Sequence, residues 1–200
     1  MTEIGAAPPC YSVPDGQATA EYSVKRSVFI GTVGPAMDAR EAQAFVAGVR
    51  SQYPDADHHA WAFVLTQWPQ GEVGSSDDGE PGGTAGRPML AVLQGRGLAC
   101  TVAVGTRYFG GIKLGPGGLV RAYSECIRLA LEKLPLARMV YHYRAVLSVD
   151  YALYGALKYT LPRQGVLIED AEFGQEVNVT VLIPPDALVG VRRFLSETTG

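Results

Sequence analysis

The sequence predicts an α+β protein made of two domains. Three observations carry that expectation. Strand-like alternation is interleaved with apolar residues at helical spacing, the rhythm stops at Pro135 and restarts beyond it, and the restarted portion reads β-α-β-β-α. Hydrophobic residues make up 47% of the 200 and charged residues 18%, a globular balance that lets each part bury its own core.

Residues 1–17 are rich in proline and glycine and read as a mobile lead-in. EYSVKRSVFIGTV (21–33) alternates and reads as one strand. Asp38 is placed as the N-cap of the helix AREAQAFVAGVRSQY. Its Ala42, Phe45, Val46 and Val49 recur at helical spacing, and Pro54 ends it. HHAWAFVLTQ (58–67) reads as a second strand. WPQGEVGSSDDGEPGG (68–83) reads as a long polar loop, and loops of that length inside compact domains are often functional. A short helix is expected from about Pro88 to Gln94, with proline suited to a first helical position. LACTVAVGTRYF (98–109) is a buried strand. GGIKLGPGG (110–118) is a second Gly-rich loop, and it leads into the helix LVRAYSECIRLALEKL (119–134), which Pro135 stops.

The first domain is therefore placed at 18–137 and the second at 138–200. In the second, YHYRAVLSVDY (141–151) is a strand and ALYGALKYTLP (152–162) a helix. VLIEDAEF (166–173) and QEVNVTVLI (175–183) form a hairpin with Gly174 at its tip, and PPDALVGVRRFLSE (184–197) is a final helix. That order is the larger part of a ferredoxin-like split βαβ unit.

Charge and composition exclude several classes. The net charge is −3, from 17 basic and 20 acidic residues, and neither part is basic, so any nucleic-acid contact needs a local patch. No DNA sequence specificity is expected. The N-terminal MTEIGAAPPCYSVPDGQ has no basic segment followed by an apolar one, as a signal peptide would, and no run approaches the ~20 apolar residues of a membrane span. A cytoplasmic location without membrane contact is the expectation. Cys10, Cys100 and Cys126 fit no zinc set and no redox pair, and the last two read as small buried hydrophobes.

Two segments could carry chemistry. Asp77, Asp78 and Glu80 crowd three carboxylates into four residues, which demands compensation by a hard cation such as Mg²⁺, by Arg or Lys, or by backbone N–H groups. GGIKLGPGG lacks the Lys-Ser/Thr pair that a P-loop needs. It does place Gly117 and Gly118 before a helix whose free N–H groups favour an anion, with Arg107, Lys113 and Arg121 nearby in sequence. Tyr108, Phe109 and Tyr123 interleave aromatic rings that could stack on bases, or simply pack. His58 and His59 must point to opposite faces of their strand, so the pair does not suit one metal. No nucleophile motif is present.

SDDGEPGGTAGRPML (76–90) and TRYFGGIKLGPGGLVRAY (106–123) resemble the two signature blocks of the IMPACT family, which includes bacterial YigZ-type proteins, and HHAWAF (58–63) resembles the block before them. A cysteine often follows the His pair in that block. Ala60 stands there, so no thiol role carries over. The likeness covers roughly residues 18–198. It implies a first domain like domain 2 of ribosomal protein S5 and a second, ferredoxin-like one similar to the last domain of elongation factor G. The family's second domain usually ends in another strand, whereas this sequence stops at SETTG, which predicts an open sheet edge. Eukaryotic members regulate translation by interfering with activation of the starvation-responsive initiation-factor kinase. They carry an extra N-terminal module with no counterpart in this sequence, so that partnership is not carried over.

The leading expectation is a binding protein with no catalytic residue and no cofactor, recognising RNA, the ribosome or a translation factor. Arg87, Arg107, Tyr108, Lys113, Gly117, Gly118, Arg121 and Tyr123 would supply its anion-contacting side. Asp77, Asp78, Glu80 and Thr84 would form the acidic loop beside them. Two alternatives stay open. One is an enzyme acting on a phosphorylated small molecule or nucleotide, with Asp77, Asp78 and Glu80 holding Mg²⁺. The other is a protein–protein regulator without nucleic-acid contact.

Overall fold

A computed structural model describes residues 10–67 and 70–199. They fall into two compact units, one over Tyr11–Met139 and one from Val140 onward. In the first, β2 (Ala18–Val24), β3 (Ser27–Pro35), β4 (His58–Gln67), β5 (Gln70–Ser76) and β6 (Thr101–Tyr108) form an antiparallel sheet in the order β2-β3-β6-β4-β5. A separate ribbon joins β1 (Tyr11–Pro14) to β7 (Leu136–Met139). The helices are α1 (Ala39–Gln52), α2 (Gly86–Gly95) and α3 (Pro116–Glu132).

Period-two alternation sorts the sheet's side chains between two cores. Val102 and Val104 of β6 join Phe63 and Leu65 of β4 against Ala42, Val46 and Val49 of α1. Ala103 instead joins Ala60, Ala62, Phe29 and Val33 against Met89 and Leu93 of α2 and Ala122, Tyr123 and Ile127 of α3. Covered on both faces, β6 is buried along almost its whole length, hence its apolar sequence. Asp38 caps α1 as expected, accepting the Glu41 N–H at 2.7 Å, while the Glu41 carboxylate accepts from the Met37 N–H at 2.8 Å.

Small residues let α3 lie close. Gly31, Gly105 and Ala60 stand side by side on three adjacent strands. A Cβ at Gly31 would collide with the Cys126 carbonyl of α3, and one at Gly105 would fall 2.6 Å from the Tyr123 ring and 2.9 Å from the Met89 sulfur.

In the second unit, β8 (Tyr143–Val149), β9 (Leu167–Phe173) and β10 (Val177–Ile183) form an antiparallel sheet in the order β8-β10-β9. With α4 (Tyr151–Arg163) and α5 (Leu188–Thr199) they keep the β-α-β-β-α order. Val149, Leu157, Leu161, Val177, Val179, Val181 and Val191 form the core. Asp150 caps α4 by accepting from the Leu153 N–H at 2.7 Å. Among the described residues no strand pairs with the outer edge of β8. The α+β, two-domain class expected from the sequence holds.

Three local expectations are corrected. The lead-in is not free throughout: Tyr11–Pro14 pair with Leu136–Met139, and residues 1–9 lie outside the described set. The single strand at 21–33 is a hairpin turning at Lys25-Arg26, both left-handed with φ 46° and 66°. A tight hairpin turn requires that geometry, but it is normally signalled by Asn-Gly or Gly, so Lys-Arg hid it. The polar loop at 68–83 contains β5; Trp68 and Pro69 lie outside the described residues. Its glycines read as loop, yet Gly74 sits opposite Phe63, whose ring fills the space that a Cβ would need.

The close approach of α3 is testable. Gly31→Ala should lower unfolding free energy by about 1–3 kcal/mol, measured by urea titration, because the obstructing atom belongs to the helix backbone and cannot swing away. An unchanged midpoint would contradict this packing.

Candidate functional site

The two Gly-rich blocks meet. Glu80 and Pro81 of the first, and Arg107, Phe109, Lys113, Leu114, Gly115, Pro116 and Leu119 of the second, line one cleft of about 440 Å³ with Asp57 and His58. The sheet register explains part of this. Phe29, Arg107 and His58 are direct neighbours on β3, β6 and β4, and all three project to the α2–α3 face.

Glu80 closes the floor. Its carboxylate accepts from Arg107 Nη1 at 2.8 and 2.9 Å and from the Tyr123 hydroxyl at 2.8 Å, and all three residues are buried. Burial first, and the Glu80 charge second, push the Tyr123 phenol far above its ordinary pKa, so it stays protonated and donates. The Arg107 guanidinium lies between the Phe29 and Phe109 rings, 5.4 and 5.1 Å from their centroids. Its Nε is buried without an acceptor.

The acidic loop is wired to the backbone. Asp77 accepts from the N–H groups of Gly83, Ala85 and Gly86 at 2.7–2.9 Å. Burial opposes its ionisation, but those three N–H groups together with Arg87 outweigh it and hold the carboxyl below its ordinary pKa. Asp78 accepts from the His59 N–H at 2.7 Å and from Arg50 at 2.8 Å, and Thr84 donates to the Pro81 carbonyl at 2.7 Å. The Asp78 carbonyl is 2.8 Å from His58 Nδ1, which must therefore donate. His59 lies on the opposite face with Nδ1 3.2 Å from the Thr106 hydroxyl. Burial and the Arg50 charge lower its pKa.

Several site expectations change accordingly. Tyr123 is fully buried and offers no ring face to a base. Arg107 is buried and gives its Nη1 to Glu80 rather than to solvent. Tyr108 follows Arg107 in β6 and so faces the other side, where its hydroxyl donates to Asp55 at 3.0 Å. Gly118 donates to the Gly115 carbonyl at 3.1 Å. Arg87, Lys113 and Arg121 are exposed, and only Lys113 of the three lines the cleft. Gly117, like Gly118, belongs to the first turn of α3 and lies outside the lining. Asp77, Asp78 and Glu80 each turn to different protein donors, and no group of three His, Cys, Asp or Glu among the described residues is placed to hold a metal. The Mg²⁺ reading thus loses its ligand set. Cys126 is buried, its thiol pushed up to about 12, and Cys100 is buried too. Asp57 was not anticipated: it accepts the Phe109 N–H at 2.7 Å and so fixes the loop's start. Its signal lay only in its place just before the His pair.

Residues 25–131 match the family model of the Impact N-terminal domain, and 147–200 match the model described as domain of unknown function (DUF1949). The chain belongs to the IMPACT family. An IMPACT family member of Haemophilus influenzae is 42% identical over 190 residues, which span 94% of this chain and 91% of that one. IMPACT family member YigZ of Escherichia coli is 36% identical, over 86% of this chain and 85% of its own. A crystal structure described as that of a hypothetical protein is 34% identical, covers 94% of this chain and 92% of that one, and superposes with a TM-score of 0.67. Among the described residues of this IMPACT family chain, no helix is long and apolar enough to cross a membrane.

The loop's wiring gives a pH test. The fold favours ionised Asp77, so its stabilisation is complete above the unfolded carboxyl pKa of about 4 and is lost as pH falls through the lower folded value. Asp77→Asn should be less stable than wild type near neutrality, by on the order of 1 kcal/mol, and the gap should shrink in acid. A gap of constant size from neutral to acid pH would refute the assignment.

Proposed function

We propose that this protein is a translation-associated RNA-binding protein, working by recognition rather than catalysis. The reading rests on one observation above others: exposed cations without ion-pair partners among the described residues stand in the second Gly-rich loop, in the helix that follows it and in the hairpin turn packed against it. Lys25 and Arg26 cap the β2–β3 hairpin, and Gly110 is packed so close to the Arg26 backbone that a Cβ would collide with its carbonyl. Lys113 stands in the loop and Arg121 in the second turn of α3. All four are exposed and outside every ion pair of the described residues. In a chain of net charge −3, unpaired cations in the hairpin turn, the loop and the start of α3 are the groups from which a local basic patch for a phosphate backbone would be built. The translational association is supported by the resemblance of both Gly-rich blocks to IMPACT signatures and by the S5-like and elongation-factor-like folds that the resemblance implies.

RNA, free or within the ribosome, is the partner class this surface favours. Affinity for tRNA or rRNA should fall steeply with added salt. Arg26→Ala, Lys113→Ala and Arg121→Ala should each weaken binding and flatten the log–log salt slope by about 1. Absence of binding to tRNA, rRNA and ribosomes at low salt would sink the reading. Capture of a translation factor that survives nuclease treatment would instead favour a protein–protein regulator.

A further inference from the structure

We propose that the cleft receives a terminal phosphate, the phosphomonoester of a free nucleotide or of an RNA end. Only the RNA-end form rests on the RNA reading above.

The first observation is an incomplete guanidinium. Arg107 is 6% exposed, and its ionic partner Glu80 occupies Nη1 alone. Nε is buried and lacks an acceptor, a deficit that native structures rarely leave. Among the described residues no hydrogen bond is recorded to Nη2, on a residue that lines the cleft. Nε and Nη2 form the side-on edge of the guanidinium, the pair that grips an oxyanion through two parallel hydrogen bonds. An oxyanion there would give Nε the acceptor it lacks.

The second observation is the helix end beside it. α3 is 17 residues long and starts at the cleft, where Gly115 and Pro116 form part of the wall. No side chain caps it and no acidic residue sits in its first turn, so the positive end of its dipole is uncompensated there, although Pro116 has no N–H and Gly118 already donates to Gly115. Lys113 adds a full charge from the loop. Two carboxylates also line the cleft: Glu80 is ion-paired with Arg107 and accepts from Tyr123, while Asp57 accepts the Phe109 N–H and keeps its charge, which Lys113 and the helix end must outweigh.

The class of anion follows from number and size. A phosphodiester carries one charge and needs an exit for the chain on both sides. A phosphomonoester carries three free oxygens, enough to meet the Arg107 edge, Lys113 and the helix end at once, and close to two charges at neutral pH. A cleft of about 440 Å³ holds one small-molecule group rather than a length of duplex. Phe109, 44% exposed, and Leu119 supply an apolar wall for the rest of the nucleotide.

The test titrates the full chain with AMP, with adenosine, and with a short oligoribonucleotide bearing a 5′-phosphate, a 3′-phosphate or hydroxyls at both ends. The arginine Nε–H resonances are followed by NMR. AMP and at least one phosphorylated oligomer should shift the Arg107 Nε–H signal and bind about tenfold or more tighter than their hydroxyl counterparts, a difference of about 1.4 kcal/mol. Lys113→Ala, which alters an exposed loop residue, and Arg107→Lys, which keeps charge but loses the fork, should both reduce that advantage. Binding of AMP without any RNA binding supports the cleft and removes the RNA reading. Equal affinity for phosphorylated and hydroxyl RNA, with no response of Arg107 to AMP, overturns the proposal and leaves the RNA reading standing. Silence from every ligand overturns both.

Discussion

The Glu80 carboxylate is the joint on which the first unit's architecture turns. It draws a donor from β6, Arg107, and one from α3, Tyr123, onto a residue of the acidic loop. Burying an ion pair is expensive, because both charges lose water, and such a pair contributes little net stability compared with apolar packing. Its consequence lies elsewhere. Once buried, neither charge tolerates loss of the other, so loop, strand and helix must adopt one mutual arrangement. The cleft is the surface above that arrangement, with Glu80 and Arg107 as its floor.

The joint needs room, and the sheet provides it. The row Phe29–Arg107–His58 lies beside the row Gly31–Gly105–Ala60, so bulky and polar side chains give way to small ones one pleat further along. Tyr123 drops into the space above Gly105, where its ring meets Phe29 edge-on at 5.1 Å and its hydroxyl reaches Glu80. The same logic holds in the first Gly-rich block. Gly86 opens α2 where a Cβ would come within 2.8 Å of the Ser76 backbone, and Asp77 gathers the neighbouring N–H groups. The glycines of both blocks thus act as spacers for a charged core, as well as turn formers.

Much of the fold was legible in the sequence because local rules and tertiary context agree there. Asp38 caps α1 as expected, β6 is buried, and the second unit keeps its β-α-β-β-α order. The misreadings occur where tertiary contacts override local chemistry. Lys25-Arg26 turns a hairpin without glycine, and Gly74 sits within a strand because the Phe63 ring covers it. The candidate site was legible as a location and not as a set of roles. Strand parity already separates Arg107 from Tyr108, but nothing local says that Arg107 pairs inward with Glu80, 27 residues earlier, or that Tyr123 follows it. Basic and aromatic residues read as contact groups proved in part to be the internal frame. Lys25 and Arg26, in the unrecognised turn, are exposed instead.

A double-mutant cycle tests that frame most directly. Unfolding free energies of Glu80→Gln, Arg107→Met and the double variant are measured by urea titration against wild type. Each single change leaves a buried charge uncompensated and should cost about 3–5 kcal/mol, while the double should cost less than the two together by on the order of 2 kcal/mol. Effects that add to within about 0.5 kcal/mol would mean that Glu80 and Arg107 do not hold the two blocks together.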